Sequence, residues 1–371
     1  MLTAKNQNFP GGRVTIDLGA LADNWRSLAK RAENAATGAV VKGDGYGIGL
    51  EVAARTLAEA GCQTFFVALP EEGFRLREAV RDATIYVLDG LMPGSATALA
   101  RARLRPVLGS WPEIEEWAAY RKSGGQGSAA IHVDTGMNRL GLTLGEARRL
   151  SQAGNLLTVI APDLLMSHLA AADTPAHPHN RKQLTAFRAV RVLLPGIPAS
   201  LANSAGIFLG NDYHFDLVRP GIALYGGAAV DGIPLPTRTV VTLEARILQI
   251  RDARQGEQVG YGAAETLGRQ SRIAIVAAGY ADGYHRRAGS NDTRAGAHVF
   301  LRGRNAPLVG RVSMDLIAID VTGIDGAERG DWVELFGNNV PVDQVARHAD
   351  TIGYELLTGL GRRYERNYIA P

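Results

Sequence analysis

The sequence predicts an α/β protein: an N-terminal (β/α)8 barrel followed by a C-terminal, mostly-β domain. Three observations carry that prediction. Eight short β-rich runs alternate with helical patterns through the first two-thirds of the chain, and strands separated by helices pair in parallel. Eight such units in roughly 200 residues is the count of a closed barrel. Beyond Thr237 the helical patterns give way to alternating apolar and polar residues, the mark of half-buried strands. A doubly wound sheet is the alternative, but no GxGxxG follows the first run.

The runs, in order, are AVVK (39–42), TFFVAL (64–69), TIYVL (84–88), RPVL (105–108), AAIHV (129–133), LLMSH (164–168), ASLA (199–202) and LVRPGIALY (217–225). A helix follows Gly49, with Val52, Leu57 and Ala60 on its apolar face, and another follows Pro70. A third, in SWPEIEEWAAYRK, takes Ser110 as N-cap and Pro112 in its first turn. In the second domain TVVTLEARILQI, RIAIVAAGY, AHVFLRG, PLVGRVSMDLIAID and WVELFG read as strands. The segment 226–238 is rich in Gly and Pro and marks the boundary. The expected division is residues 12–234 for the barrel and 235–371 for the β domain, which residues 1–11 join.

Composition narrows the class. Of the 371 residues, 46% are apolar and 21% charged, as in a soluble globular protein rather than a disordered one. The net charge is only +3, from 40 basic and 37 acidic residues. The densest basic group, Arg362, Arg363 and Arg366, reads as a solvated or ion-paired face, and no nucleic-acid partner is expected. Cys62 is the single cysteine, so no intramolecular disulfide exists. Its place before an apolar run suits a small buried residue better than a nucleophile. The first residues, MLTAKNQNFPGG, lack the apolar core of a secretory signal, and no apolar stretch nears the roughly 18 residues of a membrane span. A cytoplasmic protein without a membrane partner is expected. His168, Asp173, His177 and His179 crowd one segment, but their spacing fits no zinc pattern, and no metal is expected.

Barrel active sites form where the strands end. Lys42 ends the first run, Asp134 and Arg139 follow the fifth, and His168 ends the sixth. Asn203 and Ser204 follow the seventh, and Arg219 and Gly221 lie in the eighth or its loop. Five loops thus offer polar groups to one face. A lysine closing an apolar strand is poorly hydrated, and such lysines form Schiff bases or act as bases. Alone it would more readily be a strand-end lysine that snorkels to water. The glycines of GDGYGIG permit close backbone approach and also fit a plain tight loop. Loops after the seventh and eighth strands commonly hold phosphate. Ser204 suits the opening of a helix whose N–H groups attract an anion, and Gly221 an unobstructed N–H. Lysine, phosphate cradle and interior arginine together point to a phosphate-bearing carbonyl cofactor.

These residues carry a wider pattern. AVVKGDGYGIG resembles the pyridoxal-phosphate lysine motif of the alanine racemase family. VDTGMNRLG, MSHLAAAD, ANSAG, DLVRPGIALYG, VGYG, AGYADGY, GRVSMD and IGYELLTGLGRRY resemble further motifs of that family, in order and across essentially the whole chain. The resemblance implies an amino-acid racemase that makes D-alanine from L-alanine for cell-wall peptidoglycan. It also implies a head-to-tail homodimer whose second domain completes the partner's active site. Carried over motif by motif, Lys42 holds pyridoxal 5'-phosphate covalently and Tyr261 is the second base. His168 packs against the cofactor ring and Arg219 faces its nitrogen. Tyr46, Asn203, Ser204, Gly221, Ile222 and Tyr354 complete the cofactor site. Arg139 and the backbone at Met314 meet the substrate carboxylate and a cofactor oxygen. Asp173, Tyr280, Arg286, Arg311 and Ile352 match positions along the corridor leading in. Because arginine keeps its proton, Arg219 would leave the ring nitrogen unprotonated and disfavour transamination.

Two positions depart from the family. Where it usually has a lysine, often carbamylated, this chain has His132. The expected substitutes are a neutral His132 accepting a bond from Arg139 or an anion such as chloride between them. Where the family usually has a histidine supporting the ring-facing arginine, this chain has Ser200, so the support of Arg219 is rebuilt or lost. The rival functions are a broader-specificity racemase, a related decarboxylase and a non-catalytic pyridoxal-phosphate-binding regulatory protein. The second domain with Tyr261 and Met314 argues against the last, and Arg219, where a decarboxylase needs an acidic group, against the second.

Overall fold

The structure is a computed structural model that describes residues 10–233 and 236–370. They form two compact units. One runs from Leu21 to Arg238; the other joins the N-terminal residues up to Ala20 with those from Thr239 onward.

The first unit is the barrel. Seven parallel strands lie side by side in chain order: Ala39–Val40, Thr64–Val67, Thr84–Val87, Leu104–Leu108, Ala129–His132, Pro162–Met166 and Ala199–Ser200. The eighth run closes the ring. Leu217–Val218 pairs in parallel with Ala36–Thr37, and on its other side Arg219 N donates to Ala202 O at 2.9 Å. Aliphatic and aromatic side chains pack on both faces of the strands; Phe65, Phe66, Ile85, Ile131 and Leu165 are all fully buried. Regular pairing in the eighth run is shorter than the 217–225 read from sequence. Pro220 has no N–H to give a ladder, and Ile222–Tyr225 coils into a 3-10 helix.

Helices cover the strands as the periodicity predicts. Leu50–Glu59 buries Leu50, Ala53, Ala54 and Leu57, while Val52 and Ala60 sit at the margin. Ser110 caps Trp111–Lys122, its hydroxyl accepting from Glu113 N.

The second unit is built on one long strand, Val241–Ala253, whose first seven residues alternate buried and half-buried. It pairs antiparallel with Gly12–Asp17, Ser271–Val276 and Trp332–Phe336. Gly12–Asp17 also pairs in parallel with Glu365–Ile369. This places 12–17 in the strand-rich unit, whereas the sequence reading began the barrel at residue 12. Its partners lie more than two hundred residues away, so its local alternation could not show which sheet it joins. The expected division between residues 234 and 235 falls on Pro234 and Leu235, outside the described residues, as do residues 1–9.

Among the described residues, no helix is long and apolar enough to cross a membrane, and no three His, Cys, Asp or Glu side chains cluster as metal ligands. His177 and His179 serve their turn instead: His177 Nδ1 accepts from His179 N, and His179 Nε2 lies 2.8 Å from Gly136 O.

Candidate active site

Lys42 stands at the rim of the barrel. Val41 is fully buried but Lys42 is exposed, not withdrawn from water as its place behind an apolar run predicts. The cause is local. The strand stops at Val40, and Gly43, Asp44, Gly45 and Tyr46 follow in left-handed conformation, with φ of 64°, 54°, 63° and 53°. That turn carries Lys42 to the rim and returns Tyr46 inward, where its ring stacks on Tyr225 at 4.5 Å.

Tyr46 meets the loop after the eighth strand. A Cβ on Gly221 would collide with the Tyr46 hydroxyl, so only glycine brings the 221 backbone this close. Ser204 Oγ accepts from Gly221 N at 2.8 Å and Ala223 N at 3.3 Å. Ser204, Gly221 and Tyr46 thus lie together at the loops after the first, seventh and eighth runs. Ser204 does not open a helix as predicted; a 3-10 turn, Gly206–Leu209, follows Ala205. Asn203 shapes that turn, its Oδ1 accepting from Gly206 N at 2.9 Å. Ile222 is fully buried at the start of the next turn.

Arg219 lies at the centre, 3% exposed. It donates to Ser200 Oγ, to Ser167 O at 2.7 Å and to Leu201 O at 3.5 Å. Ser200 Oγ donates in turn to Leu217 O at 2.5 Å. Arg219 is therefore supported by a hydroxyl and two carbonyls, with Ser200 standing where the resemblance implies a histidine. Burial pulls the Arg219 guanidinium down to about 9, which leaves it protonated at neutral pH.

Behind Arg219 runs a buried relay that the sequence reading missed. Thr135 Oγ1 and Ser167 Oγ share a hydrogen bond of 2.7 Å. Gln183 Nε2 donates to Thr135 Oγ1 at 3.2 Å and to His168 O at 2.8 Å, and Gln183 Oε1 accepts from Ala170 N at 2.9 Å. The one available signal was Gln183 itself. It is a polar side chain on the same face of helix Pro178–Leu193 as Leu184, Phe187 and Val190.

The two histidines are neutral. Burial, then the Arg219 and Arg139 cations, push His132 down to about 4. Burial first and then Arg219, Arg139, His132 and Lys42 push His168 well below the usual imidazole range. These five groups therefore share one basic neighbourhood. Among the described residues no hydrogen bond joins His132 to Arg139, which is exposed on the loop 134–140. That loop is shaped by Asp134, whose carboxylate accepts from Gly136 N, Met137 N and Asn138 N at 2.8, 2.8 and 2.9 Å. Asp173 is exposed elsewhere on this unit, its carbonyl bound by Asp231 N.

The remaining site residues belong to the strand-rich unit, and their side chains are turned outward. Tyr261 is 71% exposed, Met314 53% and Ile352 60%; Tyr280, Arg286, Arg311 and Tyr354 are exposed as well. Their backbones are well tied. Tyr280 N and Ala281 N donate to Ser313 O and Met314 O at 3.1 and 3.0 Å. Asp282 accepts from Gly279 N at 3.0 Å and from Arg363 at 2.6 Å, and Arg363 also reaches Asp315 at 2.8 Å. Arg363 is thus ion-paired. A Cβ on Gly262 would lie 3.0 Å from Arg311 Nη1, so that guanidinium rests against the Tyr261 turn. Beside it is a shallow apolar pocket of about 370 Å³, lined by Val259, Ile275, Leu316, Ile317 and Ala318 as well as Tyr261 and Arg311.

A barrel-rim lysine, a Ser–Gly–Tyr cradle and a buried arginine, with a separate strand-rich unit, define the class of protein, and comparison with known proteins defines it further. Residues 16–229 match the alanine racemase N-terminal domain and residues 240–368 the alanine racemase C-terminal domain. An alanine racemase from Rhizobium meliloti is 50% identical over 96% of each chain. The biosynthetic alanine racemase of Agrobacterium fabrum is 50% identical over 96% of this chain and 93% of its own. The crystal structure of alanine racemase from Bartonella henselae with covalently bound pyridoxal phosphate superposes with a TM-score of 0.91, at 40% identity, over 97% of this chain and 99% of that one. The chain belongs to the alanine racemase family and is an isomerase acting on alanine.

Proposed function

We propose that this chain interconverts L- and D-alanine with pyridoxal 5'-phosphate attached at Lys42, using Lys42 and Tyr261 as two bases in a homodimer with composite sites. The observation that carries the reading is the cradle. Ser204 Oγ, Gly221 N and Ala223 N already converge, and the Tyr46 hydroxyl occupies the space that any side chain at 221 would need. These residues fit a phosphate, with Asn203, Ile222 and Tyr354 completing the cofactor site. His168, held neutral, suits packing against an aromatic ring. When bound, the cofactor supplies an electron-accepting ring that acidifies the substrate's α-proton.

The chain's own groups do the rest. Lys42 Nζ takes or returns the proton on one face of the α-carbon, and the Tyr261 phenolic oxygen, as phenolate or phenol respectively, does so on the other. Removal on one face and return on the other inverts the centre, with the lysine serving the D-isomer and the tyrosine the L-isomer. Arg219 stays protonated and would donate to the cofactor's ring nitrogen, so the ring would accept electrons more weakly and return of the proton to the substrate would be favoured over transamination. Arg139 and the Met314 backbone hold the carboxylate side of the substrate. Tyr280, Arg286, Arg311, Ile352 and Asp173 line the way in.

The dimer reading is supported by the outward side chains of Tyr261, Met314 and Ile352. A supply of D-alanine for peptidoglycan is supported by the biosynthetic name of the Agrobacterium relative. A cytoplasmic setting accords with a lone, buried, unpaired cysteine. The test is direct: borohydride reduction of the yellow protein should fix the label on Lys42, and incubation with each L-amino acid should yield D-alanine foremost. A label on another lysine, or no D-alanine, overturns the proposal.

A further inference from the structure

The turn after Lys42 is unusual in being left-handed at four successive residues, two of which, Asp44 and Tyr46, carry a Cβ. Such a conformation persists only where its surroundings hold it. Inside the turn, Gly45 N donates to Val41 O and Gly47 N to Gly43 O, both at 2.9 Å, and Asp44 Oδ1 accepts from Leu50 N at 3.2 Å. Two further ties come from the neighbouring helix, Pro70–Ala79. Arg75 reaches Asp44 Oδ1 at 3.0 Å while gripping Glu51 with two bonds. Glu72 Oε1 accepts from Gly43 N at 2.7 Å and Asp44 N at 3.4 Å.

The other oxygen of Glu72 accepts from Ala68 N at 2.9 Å and Leu69 N at 3.3 Å. That half is ordinary helix capping at the third residue of Pro70–Ala79. The Oε1 half is not, because Gly43 and Asp44 belong to the preceding strand–helix unit. One carboxylate therefore joins the loop after the first barrel strand to the loop after the second, at the peptide next to Lys42.

We propose that Glu72 is a positioning residue for Lys42, fixing the Gly43 amide so that the lysine Nζ returns to one place at the barrel rim. The inference rests on the reading of Lys42 as the cofactor lysine and base. Its chemistry is simple. An ionised carboxylate accepts at both oxygens, whereas a carboxamide accepts at one and presents N–H groups at the other. Glu72→Gln can keep the capping pair or the Lys42-loop pair, but not both. The capping pair is the nearer in sequence and should win.

The test compares wild type with Glu72→Gln in the full chain. Hydrogen exchange at Gly43 and Asp44 should quicken at least about tenfold while the melting temperature stays within a few degrees. The rate at which pyridoxal phosphate alone gives a borohydride-fixed label on Lys42 should fall. So should kcat, by about 10- to 100-fold, with KM for alanine changed less than about 3-fold, because a misplaced base costs rate rather than binding. Should Glu72→Gln not fold, Glu72→Asp keeps the charge beside Ala68 and Leu69, withdraws it from Gly43, and should show the same pattern. Unchanged exchange at Gly43, or faster exchange with unchanged labelling and kcat, overturns the role of Glu72 alone. A wild-type protein that never labels on Lys42 overturns the cofactor reading and this inference with it.

Discussion

The barrel rim and the strand-rich unit carry the candidate site in opposite ways. In the barrel Lys42 and Arg139 reach solvent, but the groups behind them are closed in and satisfied by the chain itself: Arg219 by Ser200, Ser167 and Leu201, and Ser204 by two backbone amides. In the strand-rich unit the backbone is just as well tied, yet Tyr261, Met314 and Ile352 present more than half their surface to solvent. A resident charged group needs preorganised, desolvated partners, and the barrel has them. A base that must reach a substrate needs only a firm backbone and a surface to work against. The contrast is what a composite site would produce: one chain holds the cofactor, and the other lends the outward tyrosine.

The largest effects should come from separating those two contributions. Lys42→Ala and Tyr261→Ala should each lower racemisation by about 10³-fold or more, the range of a lost general base. Only Lys42→Ala should also abolish the borohydride-fixed label. Mixing the two inactive chains at equal concentration and allowing subunit exchange should restore roughly a quarter of wild-type activity, since half the dimers then hold one intact site. A mixture that stays inactive while heterodimers are shown to form would break the comparison.

Next comes Arg219. Arg219→Met leaves Ser200 Oγ, Ser167 O and Leu201 O without the donor they share, and because it also relieves the burial of a cation the net cost should be about 1–3 kcal/mol. Calorimetry should show that loss, and alanine turnover should leak to pyruvate because the ring nitrogen is no longer kept unprotonated. Wild-type stability in Arg219→Met would mean that the hydrogen bonds around it contribute little.

The pH dependence should be intermediate. His132 is lowered from 6.5 to about 4 in the folded chain. Below pH 6.5 the unfolded chain therefore takes up a proton that the folded chain refuses. Stability is full above that value and falls as pH drops towards 4, by about 3 kcal/mol in total. Acid protonation of His168 acts in the same direction. His132→Asn should accordingly melt with a smaller shift between pH 7 and pH 5 than wild type, though not with none. Equal shifts in the two proteins would show that His132 is not the titrating group.

Much of this was legible beforehand, for physical reasons. Barrel strands buried on both faces read as short apolar runs, and the C-terminal strands alternate; both patterns are local. Gly43, Gly45 and Gly221 also announced backbone in unusual conformation or close contact. Long-range pairing was not legible: nothing in GRVTID says that it joins Val241–Ala253 rather than the barrel. Neither was the left-handed Tyr46, nor Glu72, which acts on amides that every sequence possesses. Lys42 was read as poorly hydrated because its strand, which ends at Val40, was read two residues too long.

The smallest effect concerns Ser200, whose hydroxyl meets Arg219. Ser200→Ala removes the acceptor of one Arg219 N–H, which is then unsatisfied in a fully buried place. The expected loss is about 1–2 kcal/mol of stability. Turnover should change less than tenfold, because Ser167 O at 2.7 Å still aims the guanidinium. Ser200→His, the residue that the sequence resemblance leads one to expect here, should be worse than Ser200→Ala. Ser200 is 0% exposed and its hydroxyl is already in contact with Arg219, so an imidazole has no room without displacing the arginine. Thermal melts of the two variants order them. If Ser200→His proves the more stable, the pocket around Arg219 is looser than its burial indicates, and the serine is a tolerated replacement rather than a fitted one.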